Sequence, residues 1–345
     1  MNEDPNENQE NQEPGDINQN QIESTFGQNS EVLKIQEAIY KVRQEVHKII
    51  IGQDDMIDLV LIALFSGGHV LLEGVPGIAK TLAAKLLAKT LSVEFTRIQF
   101  TPDLMPSDVT GTTIFNMQQA KFNFNKGPIF SNIVLIDEIN RAPAKTQASL
   151  FEVMEEKQVT VDGTTYPMTF PFMVMATQNP IEQEGTYKLP EAQLDRFLFK
   201  IILDYPSLDE ERQILYRFKD DFNKRQTEQV GAVLNAKDIK ECQEIVEKIH
   251  IKNELLDYIA QIIHNTRNHA DLFLGASPRA SLSIMQSAKA YAAMNGRDFV
   301  TPDDIQFVTY PVLNHRIILT PEREMEGLDI KDVVQDIISK IEVPR

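Results

Sequence analysis

The chain has 345 residues, 42% of them hydrophobic, and 51 Asp and Glu outweigh 34 Lys and Arg to give a formal net charge of −17. That length suits about two domains, and no apolar run is long enough to insert into and span a membrane. The single cysteine, Cys242, excludes an intramolecular disulfide and a Cys-based zinc site and fits a reducing cytoplasmic setting.

Residues 1–30 hold seven acids, no Lys or Arg, and few apolar positions. Such a segment cannot bury enough surface to offset the entropy of ordering, so a disordered acidic leader is expected. It lacks the basic and apolar regions of a signal peptide. The rest of the chain is also acidic. That argues against nucleic acid as a substrate without excluding a local basic patch or a basic pore. The six His are scattered without ligand-like spacing, so no structural metal is expected.

Structure is expected from about residue 31. Val32, Ile35, Ile39, Val42, Val46 and Ile49 recur at helical spacing. After the turn Ile50-Ile51-Gly52-Gln53, an apolar helix is expected from about Asp55 to Phe65. The run 69–73 reads as a buried strand. It feeds Gly74-Val75-Pro76-Gly77-Ile78-Ala79-Lys80-Thr81, which opens a helix over 79–91. A strand, a Gly-rich loop and a Lys-Thr pair at a helix start grip nucleotide phosphates. Backbone N–H groups and the positive helix end cradle the anion, Lys80 reaches the β/γ oxygens, and Thr81 can hold Mg²⁺. Ala79 stands where the pattern has its second Gly, and Gly77 supplies a permissive backbone nearby.

Residues 94–100 alternate as a strand, and 108–130 read as a Gly-punctuated hairpin. Ile133-Val134-Leu135-Ile136 is a second buried strand, ending in Asp137-Glu138. Asp137 is placed to hold Mg²⁺, and Glu138 to orient and polarise an attacking water. Either motif can arise by chance; both, in this order, point to a nucleoside triphosphate site. A helix over 144–156, a hairpin over 158–168 turning at Asp162-Gly163, and strands at 171–176 and 197–203 follow. Strands alternating with helices imply a parallel sheet covered on both faces. After Asp204-Tyr205-Pro206-Ser207 the strand signals stop. The acidic runs at 152–156 and 209–211 read as solvated helix faces. Ser277-Pro278 opens a helix to about Met294, and Thr301-Pro302 opens another. The expected division is a leader (1–30), an α/β core (31–205) and a helical domain (206–345), with a flexible join within 220–237.

The loop 74–81, the stretch Ile136-Asp137-Glu138-Ile139-Asn140-Arg141-Ala142-Pro143, Ala176-Thr177-Gln178-Asn179-Pro180, residues 189–197 and Gly275-Ala276-Ser277-Pro278-Arg279-Ala280 together resemble the MoxR family of AAA+ ATPases. The resemblance covers roughly residues 34–340, and Ala at position 79 is ordinary for that family. It implies an α/β P-loop core with a five-stranded parallel sheet in the order 5-1-4-3-2, two hairpin inserts and a C-terminal helical lid. It further implies hexameric rings with ATP between neighbouring subunits. The implied work is chaperone-like remodelling or maturation of protein complexes, often with a von Willebrand A-domain partner.

By the same resemblance Asn179 would be a sensor that bonds the attacking water or the γ-phosphate; a turn Asn before Pro180 is the other reading. Arg196 would be the finger that enters a neighbour's site, a device worth about 10³–10⁵ in rate; a salt bridge to Asp195 or Glu191 is the alternative. Arg279 resembles a second sensor reaching the γ-phosphate from the lid. Arg141 fits a surface charge or an inter-subunit contact. Ile51 and Gln53 resemble the segment flanking adenine and fit core-edge packing equally. Three rival functions remain: a nucleic-acid-stimulated motor, a nucleotide-gated binding module with little turnover, and a magnesium-chelatase-like subunit.

Overall fold

The structure is a computed structural model and describes residues 19–75, 77, 80–180, 185–219 and 226–344. Helix α1 (Gln19–His47) starts well before residue 31; residues 1–18 of the expected disordered leader lie outside the described residues. The buried stripe Val32, Ile35, Ile39, Val42 and Val46 anchors this helix. Once such a nucleus exists, further turns add one hydrogen bond per residue without a second nucleation cost. Helix α2 (Asp54–Phe65) is apolar nearly all round and accordingly buried.

Then follow β1 (Val70–Gly74), α3 (Lys80–Thr90), β2 (Phe95–Gln99), α4 (Pro106–Thr110), the hairpin strands β3 (Gly111–Asn116) and β4 (Lys121–Lys126), β5 (Ile133–Asp137), α5 (Ala144–Glu156), the hairpin strands β6 (Gln158–Val161) and β7 (Thr164–Pro167), β8 (Met173–Gln178), the short α6 (Glu191–Leu194) and β9 (Phe199–Leu203). The sheet runs β2–β5–β8–β1–β9 with every pair parallel, the order that the family resemblance implies. The inner strands β5 and β8 are apolar runs because both faces are covered. Val70, Leu72, Ile133, Leu135, Met173, Met175, Phe199 and Ile201 enter one apolar cluster; Leu71, Val134, Ile136, Val174 and Ala176 enter the other.

The helical region comprises α7 (Leu208–Phe218), α8 (Ala236–Lys248), α9 (Asn253–Asn268), α10 (Pro278–Met294), α11 (Pro302–Leu313), α12 (Pro321–Met325) and α13 (Ile330–Ser339). A short antiparallel pair, β10 (Leu272–Leu274) with β11 (Ile318–Leu319), corrects the expectation of helices alone. Runs of two or three residues carry no periodic signal. Of these helices, α8, α9, α10, α11 and α13 share one apolar cluster with α1, α2 and α3. Of the expected join, residues 220–225 lie outside the described residues, and Asn235 caps α8 by accepting from Lys237 N at 2.8 Å and Asp238 N at 3.2 Å. Thr301 opens α11 in a capping box whose Asp304, buried, also grips Arg297 at 2.6 and 2.7 Å.

The two hairpins are joined. Thr113 Oγ1 donates to Asp162 Oδ2 at 2.7 Å, and Phe124 stacks on Tyr166 with centroids 4.5 Å apart. Asp162 and Gly163 both have positive φ (49° and 76°), the backbone that a two-residue hairpin turn requires. At the hairpin base Gly111 has φ 104°, and a Cβ there would run into the Asn125 carbonyl. Phe122 pairs with Phe115 at 5.0 Å but stays exposed. Among the described residues no helix is long and apolar enough to cross a membrane.

Candidate active site

In a parallel sheet all carboxyl ends share one edge, and ligand crevices form there. At that edge a cavity of about 380 Å³ is lined by Gly77, Lys80, Thr81, Leu82, Arg97, Gln99, Asp137, Glu138, Thr177 and Asn179. Gly74 ends β1 and Val75 follows it; Pro76, Ile78 and Ala79 of the expected loop lie outside the described residues. Gly77 has φ 91°, a conformation that favours glycine. Lys80 starts α3, and its Nζ donates to the Gly74 carbonyl at 2.6 Å. Burial pushes the Lys80 amine down from its ordinary value, while Asp137, Glu138 and Glu73 pull it back up.

Asp137 is buried at the end of β5. Its Oδ1 accepts from Thr177 Oγ1 at 3.2 Å; its Oδ2 accepts from Arg97 Nε at 2.5 Å and lies 3.5 Å from Thr81 Oγ1. Glu138 leaves the strand in the left-handed region (φ 58°, ψ 54°), a conformation that costs about 1 kcal/mol or more for a residue with a Cβ. Its N–H donates to Thr177 Oγ1 at 3.0 Å, and its carboxylate accepts from Gln99 Nε2 at 2.8 Å and pairs with Arg141 Nε at 3.0 Å. Arg141 is thus a partner of Glu138, which neither expected reading of it foresaw. Arg97, Gln99 and Thr177 were not singled out from the sequence. Two polar residues at i and i+2 at the end of a sheet strand were the available signal, and they resemble a solvated strand face.

Ile51 and Gln53 line a different cavity, of about 610 Å³, with residues 200–206, Glu210, Phe307 and Tyr310. It adjoins the carboxyl end of β9, beside β1, where Lys200 Nζ meets Glu73 Oε1 at 2.9 Å. Glu210 is no merely solvated acid: a Cβ on Gly52 would overlap its carboxylate.

Arg196 and Arg279 line neither cavity. Arg196 donates to the Phe151 carbonyl at 2.9 Å and to Glu155 at 3.3 Å, so neither Asp195 nor Glu191 is its acid partner. Arg279 pairs with the other oxygen of Glu155 at 3.1 Å and lies 3.9 Å from Asp195. One carboxylate therefore holds both guanidiniums, while Glu152, Glu155 and Glu156 all stay exposed, as the reading of 152–156 as a solvated face expects. The cluster sits at the amino ends of the strands. Leu198 N donates to the carbonyl of His69, just before β1, and His69 also meets the Met154 carbonyl at 3.1 Å and accepts from Val174 N at 3.0 Å. Arg279 therefore stands away from the Lys80 cavity of its own chain. Residues 314–316 fasten the helical region to residues 195–200, at the end of the sheet opposite Lys80.

Comparison with known proteins decides the assignment. Residues 69–199 match the model of the ATPase family associated with various cellular activities, and 264–337 match the AAA lid domain. The chain is 44% identical over 325 residues to chaperone MoxR1 of Mycobacterium tuberculosis, covering 92% of this chain and 84% of that protein. The chain belongs to the MoxR family of AAA+ ATPases. It is also 46% identical over 304 residues to the uncharacterised YeaC of Bacillus subtilis, covering 88% of this chain and 94% of that one. The crystal structure of a candidate ATPase from Cytophaga hutchinsonii superposes with a TM-score of 0.85 at 44% identity, covering 94% of this chain and 99% of that one.

Membership in the MoxR family implies nucleotide binding with a divalent metal, and AAA+ ATPases commonly oligomerise. The donors at hand fit such a metal. A carboxylate (Asp137) and a hydroxyl (Thr81) are hard oxygen ligands of the kind Mg²⁺ takes alongside phosphate and water.

Proposed function

We propose that this MoxR-family chain hydrolyses ATP between neighbouring copies in a ring, six to a ring, and uses the cycle to remodel or mature protein complexes, von Willebrand A-domain proteins among them. The observation that carries the reading is the convergence of Lys80, Thr81, Asp137, Glu138 and Asn179 on one cavity at the carboxyl edge of the sheet. The γ-phosphate would lie against Lys80, whose amine offsets its charge. Glu138 would leave Gln99 and Arg141 to orient the attacking water and take its proton. Asn179 would hold that water or the γ-phosphate. Thr81 and Asp137 would hold Mg²⁺, which would supply positive charge against the phosphates. Ile51 and Gln53 would flank adenine in the adjoining cavity.

Arg196 and Arg279 stand at the other end of the sheet, so one chain cannot bring them to its own phosphates. A head-to-tail neighbour can, and repetition of such a contact closes into a ring when the rotation per copy permits. Phosphate release from ATP by the purified chain, with its assembly state read by light scattering, tests the reading. Glu138→Gln should bind ATP, assemble and turn over at least about 100-fold more slowly. Equal turnover by wild type and Glu138→Gln would overturn the assignment. Assembly on ATP with no phosphate release would favour the nucleotide-gated binding module.

A further inference from the structure

Arg97 lines the Lys80 cavity yet has no part in the chemistry above. It stands on β2, an edge strand of the sheet, with its side chain about half exposed. Its Nε donates to Asp137 Oδ2, and a second nitrogen reaches Gln99 Oε1 at 3.3 Å. Oδ2 is the oxygen of Asp137 that faces Thr81; Oδ1 is engaged by Thr177. A buried carboxylate needs a charge partner. Lys80 attracts Asp137 only through space, its amine donating to the Gly74 carbonyl, whereas Arg97 bonds the carboxylate directly.

We propose that Arg97 is the resident counter-cation of Asp137, and that a divalent ion arriving with nucleotide must displace it from Oδ2. The inference rests on the ATPase reading above. A guanidinium keeps its charge at any working pH, so only movement can clear the oxygen. Two cations on one carboxylate oxygen repel. The exposed side of an edge strand leaves Arg97 room to turn outward. Gln99, two residues along the same strand face, remains as its partner. Because Gln99 also bonds Glu138 at 2.8 Å, occupation of Asp137 would be felt at Glu138 through Arg97 and Gln99.

The test is a Mn²⁺ titration of the full chain with a non-hydrolysable ATP analogue, free Mn²⁺ being read by electron paramagnetic resonance. Arg97→Gln should lower the apparent Mn²⁺ dissociation constant about tenfold, the scale set by removing one like charge at close range. Arg97→Lys, with one donor group and shorter reach, should fall between the two. Without nucleotide and in chelator, Arg97→Gln should melt below the unaltered chain, and Mn²⁺ with the analogue should close the gap. An unchanged or raised Mn²⁺ dissociation constant in both variants would overturn the displacement while leaving the ATPase reading intact. If Arg97→Gln does not fold, Arg97→Lys decides alone. Failure of the unaltered chain to bind the analogue at all would overturn both.

Discussion

Arg316 binds Asp195 at 2.6 Å across the junction between the helical region and the α/β core. The guanidinium is buried and also donates to the carbonyls of Val312 (2.5 Å), Phe197 (2.7 Å), Leu198 (3.1 Å) and Asp195 (3.2 Å). His315 meets the same Phe197 carbonyl at 3.0 Å, and Asn314 donates to that of Lys200 at 2.9 Å. Three successive residues of the helical region thus hold the segment that carries Arg196.

Asp195→Ala would leave a buried arginine without its carboxylate. It should destabilise the fold by about 2–3 kcal/mol, less than a wholly orphaned charge because four carbonyls remain. A fall in the urea midpoint at constant m-value checks this. An unshifted midpoint would mean that the carbonyls alone satisfy Arg316.

Lys80→Ala and Arg196→Ala should each abolish turnover for different reasons, the first by losing phosphate binding and the second by losing a group supplied to a neighbour. Mixed one to one, the two inactive proteins should regain about a quarter of the wild-type sites, since a random head-to-tail contact then pairs an intact phosphate face with an intact arginine in about one case in four. No recovery on mixing would count against a shared site.

Arg279→Ala should leave equilibrium binding to an isolated subunit's own cavity unchanged and depress turnover at least tenfold in the assembled state. Nucleotide affinity measured below and above the assembly concentration separates the two effects. Weaker nucleotide binding by the dilute monomer would place Arg279 at its own cavity after all.

Stability should fall on acidification. Burial holds His69 neutral, with its pKa pushed down to about 4 from 6.5. Burial and the neighbouring Arg316 push His315 well below the same ordinary value. The unfolded chain therefore binds protons that the folded chain refuses, so stability present above about pH 6.5 is lost as the pH drops toward 4. Each ring contributes up to about 1.4 kcal/mol per pH unit within its window. Urea unfolding across that range reads the slope, and a flat profile would show that the two rings charge without cost.

Much of this was legible in the sequence because the chemistry is local. Apolar runs revealed the strands, Asp162-Gly163 the hairpin turn, and Lys80-Thr81 and Asp137-Glu138 the site, since each group of residues is contiguous. What escaped notice depends on distant pairings. Arg97 and Gln99 acquire meaning only through acids some forty residues away. Glu155 read as solvated because its two arginines come from elsewhere in the chain. The place of Arg279 depends on which end of the sheet residues 314–316 engage, and no periodicity records that.

The stacking of Phe124 on Tyr166 and the bond from Thr113 to Asp162 make two separate insertions behave as a single prong. Its roots bracket β5 in the chain, one entering just before Ile133 and the other leaving from the far end of α5. A load on the exposed tip, where Phe115, Met117 and Phe122 gather, is therefore shared between two anchor points on either side of the strand that ends in Asp137. Residues 127–132 alone separate β4 from the strand that ends in Asp137, so a displacement of the hairpins would be passed to that strand directly.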